Sequence, residues 1–160
     1  MKILIISDTH GSHKNFDRVI EKERPLDMLI HLGDVEGDED YIPAVADCPV
    51  HMVAGNNDFF SDLPKELELS VDGYQVLVTH GHHYYVSMST EILAHEAAAR
   101  GKQVVLYGHT HKPSVEYREG VYVVNPGSLS YPRQEGRKPS YCIMEIDRFH
   151  EIHFTIAYLK

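Results

Sequence analysis

The segment KILII, residues 2–6, is an unbroken run of β-branched residues and leucine that stops at Ser7. A run of this kind, with no polar alternation, is what a strand buried on both faces requires. Two more apolar runs follow the same plan, DMLIHLGD at 27–34 and VHMVAGNND at 50–58. Between the first two, Phe16, Val19 and Ile20 alternate with charges at helical spacing, with Asn15 as the expected cap and a stop before Pro25. Between the second and third, DEDYIPAVAD offers a short helix, weakened by Pro43. Strand, helix, strand, helix, strand is the order of a parallel βαβαβ sheet. Each run ends on polar residues, Asp8 and His10, then Asp34, then Asn56 and Asp58. In open α/β sheets that edge is where ligands bind.

The second half of the chain is richer in strands. ELELSV (66–71), YQVLVTH (74–80), VVLYGH (104–109), SVEYR (114–118), VYVVN (121–125), YCIMEID (141–147) and IHFTIAYL (152–159) all have strand character. Asp72-Gly73 and Glu119-Gly120 mark hairpin turns, and one alanine-rich helix is expected near Thr90–Arg100. The expected fold is α/β, a four-layer α/β/β/α sandwich of two mixed β-sheets flanked by helices, in a single domain over 1–160. Residues 126–140 form the one extended Pro/Gly loop.

Composition narrows the function classes. The 24 acidic against 15 basic residues give a formal charge of −9, which argues against a nucleic-acid-binding surface but would suit a site holding cations. Cys48 and Cys142 have no CxxC spacing, so neither a disulfide framework nor a zinc knuckle is indicated. The apolar start is too short for a signal peptide or a membrane span, and a cytoplasmic location is expected. Twelve histidines in 160 residues stand out. Histidine serves both as a metal ligand and as an ordinary half-buried side chain, so position has to separate the two uses.

Five short motifs fall at the ends of the expected strands: Asp8-Thr9-His10, Gly33-Asp34, Gly55-Asn56-Asn57-Asp58, His80-Gly81-His82 and Gly108-His109-Thr110-His111. Pairs at i and i+2 can converge on one ion, and the adjacent glycines let the backbone bend and come close. Mixed carboxylate, amide and imidazole ligands suit Mn, Fe, Ni, Co or Zn better than calcium. This ordered set, together with NPGSLSYPR at 125–133, resembles the calcineurin-like metallophosphoesterase superfamily, and within it the small bacterial and archaeal phosphodiesterases.

The resemblance implies one divalent ion held by Asp8, His10 and His111 and a second held by Asn56, His80 and His109, with Asp34 bridging them. Mn is the expected metal, and Ni, Fe, Co or Zn are alternatives. The implied reaction is hydrolysis of a small soluble phosphate ester, a diester first of all, by a hydroxide bridging the two ions, so no protein nucleophile is needed. Many members carry a histidine after the ligand asparagine that is proposed to protonate the leaving group. Here that position is Asn57, and an amide cannot take the role, although His82 or His13 could supply the proton.

Asp58 is expected to orient a neighbouring group. His13, His82 and His83 are candidates for supporting the ligands or facing substrate. Arg133 is set between binding a phosphate and being a solvated loop charge. Taken singly, a histidine is more often structural, and His31, His51, His95, His150 and His153 are read that way, as Tyr107 is read as core. Two rival functions remain: a phosphomonoesterase, and a non-catalytic interaction scaffold like a related eukaryotic retromer subunit. The complete ligand set weighs against the scaffold. A homo-oligomer remains open through the aromatic, β-rich C-terminus.

Overall fold

Successive residues of a strand point to opposite faces, so the KILII run is shared between two cores. In the computed structural model, which describes residues 1–160, strand β1 (Lys2–Ile6) sends Ile3 and Ile5 into one core and Leu4 and Ile6 into another, all fully buried. Parallel to it run β2 (Met28–His31) and β3 (Val50–Met52), linked by α1 (Lys14–Glu23) and α2 (Tyr41–Ala46). On its other side β1 pairs antiparallel with β9 (Ser140–Ile146), which pairs antiparallel with β10 (Ile152–Tyr158). The first sheet therefore has the order β10-β9-β1-β2-β3.

The second sheet contains β4 (Glu66–Val71), β5 (Tyr74–Thr79), β6 (Val104–Leu106), β7 (Ser114–Arg118) and β8 (Val121–Asn125), in the order β4-β5-β6-β8-β7. Its three middle strands, β5, β6 and β8, are parallel, and α3 (Glu91–Ala99) connects β5 to β6. Both two-residue hairpin loops, Asp72-Gly73 and Glu119-Gly120, have positive φ at both positions, as a type I′ turn demands.

Three apolar layers separate these elements. Ile3, Ile5, Ile30, Val76, Val104 and Met144 fill the space between the sheets. Phe16, Val19 and Ile20 of α1 close over Leu4, Ile6 and Ile143, while Leu93, Ala94 and Ala97 of α3 cover Leu77, Val105 and Val123. The result is the expected α/β/β/α sandwich. Truncating a residue such as Ile5 to alanine would cost about 2 to 5 kcal/mol. Both cysteines are free, and no helix is long and apolar enough to cross a membrane.

Two local expectations need correction. Asn15 does not cap α1. The helix starts at Lys14, His13 occupies the cap without a side-chain bond, and Asn15 Nδ2 donates instead to Leu129 O at 2.6 Å. A tertiary partner across the molecule has taken the side chain that local pattern assigned to the helix. The strands are also shorter than their apolar runs: β2 ends at His31, β3 at Met52 and β6 at Leu106. The polar ends lie in loops that stay zipped to one another, with Asp8 N–H donating to Gly33 O at 3.0 Å and His10 N–H to Asp34 O at 2.9 Å.

Candidate metal centre

The parallel strands of both sheets end on the same edge of the sandwich, and the loops leaving β1, β2, β3, β5 and β6 bring all seven proposed ligands together there. Five of the seven have left-handed backbones: Asp8 (φ 55), His10 (φ 49), Asp34 (φ 55), His109 (φ 71) and His111 (φ 59). Asp and His tolerate this region better than most residues, but each such residue still costs on the order of 1 kcal/mol. Strain of this kind persists only where surroundings over-determine it, and it gathers at functional sites. Close packing adds to the constraint. A Cβ on Gly55 would lie 2.2 Å from Asp34 Oδ1, and one on Gly108 would lie 2.1 Å from Ser7 Oγ and 2.9 Å from Asp8 Oδ2.

Asp8 is fully buried. Its Oδ2 accepts from Ser7 Oγ at 2.7 Å and from His109 N–H at 3.1 Å, while Oδ1 is buried with no hydrogen-bond partner. Around Oδ1 lie three imidazole nitrogens, His111 Nε2 at 3.3 Å, His80 Nε2 at 3.8 Å and His10 Nε2 at 3.9 Å. Burial alone would raise the Asp8 pKa, but the His111 contact and the charges of His80 and His111 outweigh it and hold the group at about 2. His111 is shifted upward in turn: burial opposes its protonation, and the adjacent Asp8 carboxylate and the Tyr131 carbonyl favour it more.

The outward nitrogens decide what the inward ones can do. His10 Nδ1 faces Glu36 Oε2 at 2.6 Å, His111 Nδ1 faces Tyr131 O at 2.7 Å, and His80 Nδ1 faces Leu32 O at 2.7 Å. Each partner is an acceptor, so each Nδ1 must carry the proton. In the neutral rings every Nε2 is then a lone pair, and His10 Nε2 and His111 Nε2 point those lone pairs at each other across 3.2 Å. His80 Nε2 likewise meets Asn56 Oδ1 at 3.0 Å and Asp34 Oδ2 at 3.6 Å. Facing acceptors repel unless a proton or a metal ion lies between them, and with the orphaned Asp8 oxygen this donor set fits a divalent ion. The ligand atoms of Asp8, His10, Asp34 and His111 all lie within 4.8 Å of one another. Asn56 Oδ1, which also meets His109 Nδ1 at 3.0 Å, is the meeting point of a second set.

Asn57 is turned inward. Its backbone N–H donates to Asp34 Oδ1 and its Nδ2 to Asp34 Oδ2, both at 2.9 Å. Asp58 ties the loops beneath, accepting from the N–H groups of Val35, Glu36 and Gly55 at 3.2, 2.8 and 2.7 Å. The His82 ring lies 5.4 Å from that of His80 and 6.0 Å from that of His109. Burial, followed by the charges of His80, His83 and His109, lowers its pKa to about 4, so it is neutral at pH 7. His13 turns away, to Asp38 Oδ2 at 3.6 Å and the ring of Tyr41 at 4.1 Å, and makes no hydrogen bond or ion pair with the seven. Arg133 is exposed, and its backbone N–H donates to His111 O at 3.0 Å.

Several supporting residues escape a sequence reading. Ser128 Oγ donates to Asp8 O at 2.7 Å and Ser130 Oγ to Thr9 O at 2.6 Å, so the 126–131 loop clamps the strained Asp8–His10 turn. Asn125 Nδ2 donates to Gly108 O at 3.1 Å. His31 is wholly buried beneath the site: Gly33 N–H donates to its Nδ1 at 3.1 Å, which leaves Nε2–H to donate to Thr9 Oγ1 at 2.9 Å. A surface cavity of about 530 Å³ around Asp72, Tyr74 and His150 lies at the other end of β5 and shares none of these residues.

Comparison with known proteins identifies the family. Residues 1–148 match the model of the calcineurin-like phosphoesterase superfamily domain. The probable metallophosphoesterase YsnB of Bacillus subtilis (strain 168) is 34% identical over 92% of this chain and 85% of its own length. The phosphodiesterase YfcE of Escherichia coli (strain K12) is 30% identical over 92% of this chain and 89% of its own. Among solved structures, a predicted phosphoesterase of Streptococcus pneumoniae TIGR4 superimposes with a TM-score of 0.80 at 27% identity, covering 99% of this chain and 97% of that one. Vps29 of Entamoeba histolytica, as the D62A mutant, gives a TM-score of 0.78 at 22% identity over the whole of both chains, a likeness of fold. The chain belongs to the calcineurin-like phosphoesterase superfamily.

Proposed function

We propose that this protein is a phosphodiesterase that depends on two divalent metal ions. The reading is carried by one observation: imidazole Nε2 atoms, on rings whose Nδ1 atoms face acceptors, and an unpartnered buried carboxylate oxygen converge on the same small volume. Asp8, His10 and His111 would hold one ion, Asn56, His80 and His109 the other, and Asp34 would serve both. Mn is the first choice of metal, and Ni, Fe, Co or Zn share the same ligand preferences. Ions bound there supply acidity that makes a water nucleophilic near neutral pH and positive charge that draws electron density from the phosphate oxygens.

The chain's own residues position and hold. Glu36 and the carbonyls of Leu32 and Tyr131 fix the imidazole tautomers, the outer support that metal-binding histidines need. Asn57 holds both oxygens of Asp34 and thereby sets the orientation of the shared carboxylate. Because that amide replaces a proton donor, the reaction lacks a contribution typically worth about 10² to 10⁴ in rate. His82 does not fill the gap, being neutral at pH 7. Diesters with good leaving groups should therefore be cleaved far faster than alkyl diesters. A leaving-group series on the Mn-loaded protein checks this, since a rate independent of leaving-group pKa would require an acid elsewhere in the site.

The likeness to Vps29 keeps an interaction scaffold as the second reading, and the monoesterase is a third. Bis(p-nitrophenyl) phosphate and p-nitrophenyl phosphate, each with and without Mn or Ni, separate the three. The proposal expects metal-dependent cleavage with the diester preferred. Preference for the monoester would reassign the substrate, and no cleavage of either by fully metallated protein would favour the scaffold.

A further inference from the structure

Two hollows of similar size are lined by residues next in sequence to the proposed ligands, and their chemistry is opposite. On the Asn57 side, a cavity of about 350 Å³ is lined by Glu36, Glu39, Asn57, Asp58, Phe59 and Phe60 and contains no cationic side chain. On the side of His109 and His111, another cavity of about 350 Å³ is lined by Ser87, Tyr107, Thr110, Lys112, Ser114 and Arg133. Thr110 lies between the two histidines in sequence and Lys112 directly follows them. Arg133 is fastened to the same turn through its backbone bond to His111 O, and its positive charge acts on the His111 ring.

Neither Lys112 nor Arg133 is committed elsewhere. The Lys and Arg ion pairs of the molecule use Lys2, Lys22, Arg100, Lys102 and Arg118. The bonds that Lys112 and Arg133 do make use backbone atoms only: their N–H groups donate to Thr110 Oγ1 and His111 O, and Lys112 O accepts from Thr110 Oγ1. Unpaired surface lysines are ordinary, and one alone would mean nothing. Two free cations that share a hollow with serine and threonine hydroxyls, against a ligand histidine, in a chain of net charge −9, outnumber the one carboxylate beside it, Glu116, which accepts from Ser114 Oγ at 3.5 Å, and form a local reversal of sign. A guanidinium fork and an ammonium beside hydroxyl donors are the groups that recognise an oxyanion.

We propose that this hollow is an anion subsite, in which Lys112 and Arg133 take a second negatively charged group carried by the arm of the ester that is retained after cleavage. The inference rests on the phosphoesterase reading and narrows it: the preferred substrates are phosphate diesters bearing an additional phosphate-like or carboxylate anion. The opposite hollow, with Glu36 and Glu39, would repel such a group, so the two flanks also set the direction in which substrate lies.

The test uses the Mn-loaded full chain and three p-nitrophenyl diesters that share a leaving group and differ in the other arm: ethyl, 2-carboxyethyl and 2-phosphonoethyl. We expect kcat/KM for at least one anionic ester to exceed that of the ethyl ester about tenfold or more, mainly through KM. Whichever arm is favoured identifies the anion. The ratio should fall towards one in the Lys112→Ala/Arg133→Ala variant and persist in Lys112→Arg, with thermal melts confirming that the variants fold. Equal rates on all three esters in the wild-type protein would overturn the subsite and leave the phosphoesterase reading standing. If no ester is cleaved, that reading falls and the subsite is decided by binding alone. The side-chain Nε–Hε resonance of Arg133 should then move on titration with millimolar inorganic phosphate, and an unmoved resonance overturns the proposal.

Discussion

The two halves of the candidate centre are built from different materials. Around Asp8, His10 and His111 the protein supplies a second carboxylate besides Asp34, and Asp8 and His111 are buried. Around Asn56, His80 and His109 the side chains are an amide and two imidazoles, with His80 buried and Asn56 exposed. A formal negative charge at short range in a poorly solvated place is worth far more to a dication than an amide dipole. The first half should therefore bind its ion tightly and hold it, while the second binds more weakly and faces the substrate.

The largest effect expected from this asymmetry lies at Asp8. Asp8→Asn removes that second charge, and kcat/KM for bis(p-nitrophenyl) phosphate should fall by about 10³ or more, beyond the 10 to 100-fold typical of outer-shell changes. Metal analysis of the purified variant should show the more tightly held ion lost. A smaller loss than that from Asn56→Ala would reverse the ranking of the halves.

Next in size is an effect of pH on the floor of the first half. Burial lowers the pKa of His31 from 6.5 to about 4, with the charge of His80 acting in the same direction and those of Asp8 and Asp58 opposing. Between those values the unfolded chain binds a proton that the folded chain refuses, so stability rises with pH. It is complete above about 6.5 and lost on descent towards 4, by about 3 kcal/mol for this residue. Urea melts of the wild type and His31→Leu between pH 7 and 5 should differ in slope, with the variant less acid-sensitive. Equal slopes would mean that His31 titrates normally.

Asn56→Ala should weaken the second half alone, with a loss of about 10 to 100-fold in activity that excess Mn partly restores. Asn56→Asp sharpens the comparison by adding the missing charge, and its second Mn should bind more tightly than in the wild type. The smallest effect is expected at Glu36. Glu36→Gln leaves a hydrogen-bond partner for His10 Nδ1 but removes the charge behind it, so Mn affinity of the first half should fall by about tenfold, read by competition with a chelator.

Much of this centre could be read in the sequence, and the reason is geometric. Ligands at the ends of parallel strands are neighbours in space whenever the strands are, and KILII, MLIH and VVL declare themselves as strands by hydrophobicity alone. The hairpins were equally legible, because Asp-Gly and Glu-Gly supply the positive φ that the turn requires. What was not legible was held by backbone. The carbonyls of Leu32 and Tyr131 that fix two histidine tautomers belong to residues whose side chains give no hint of it, and Asn15 bonds to Leu129 O from 114 positions away. Asn57 was readable as a missing acid, yet its attachment to Asp34 depends on how the loop after β3 folds back. The sheet order β10-β9-β1-β2-β3 places the C-terminal hairpin beside β1, a pairing that no local pattern encodes.

Anomalous diffraction from crystals of the full chain grown with Mn tests the central claim most directly. Two peaks are expected at the edge where the strands end, one among Asp8, His10 and His111 and one among Asn56, His80 and His109, with Asp34 between them and the first peak occupied at lower Mn concentration. Peaks confined to the group of Asp147, Glu151 and His153, or a candidate centre without any peak at saturating Mn, would contradict it.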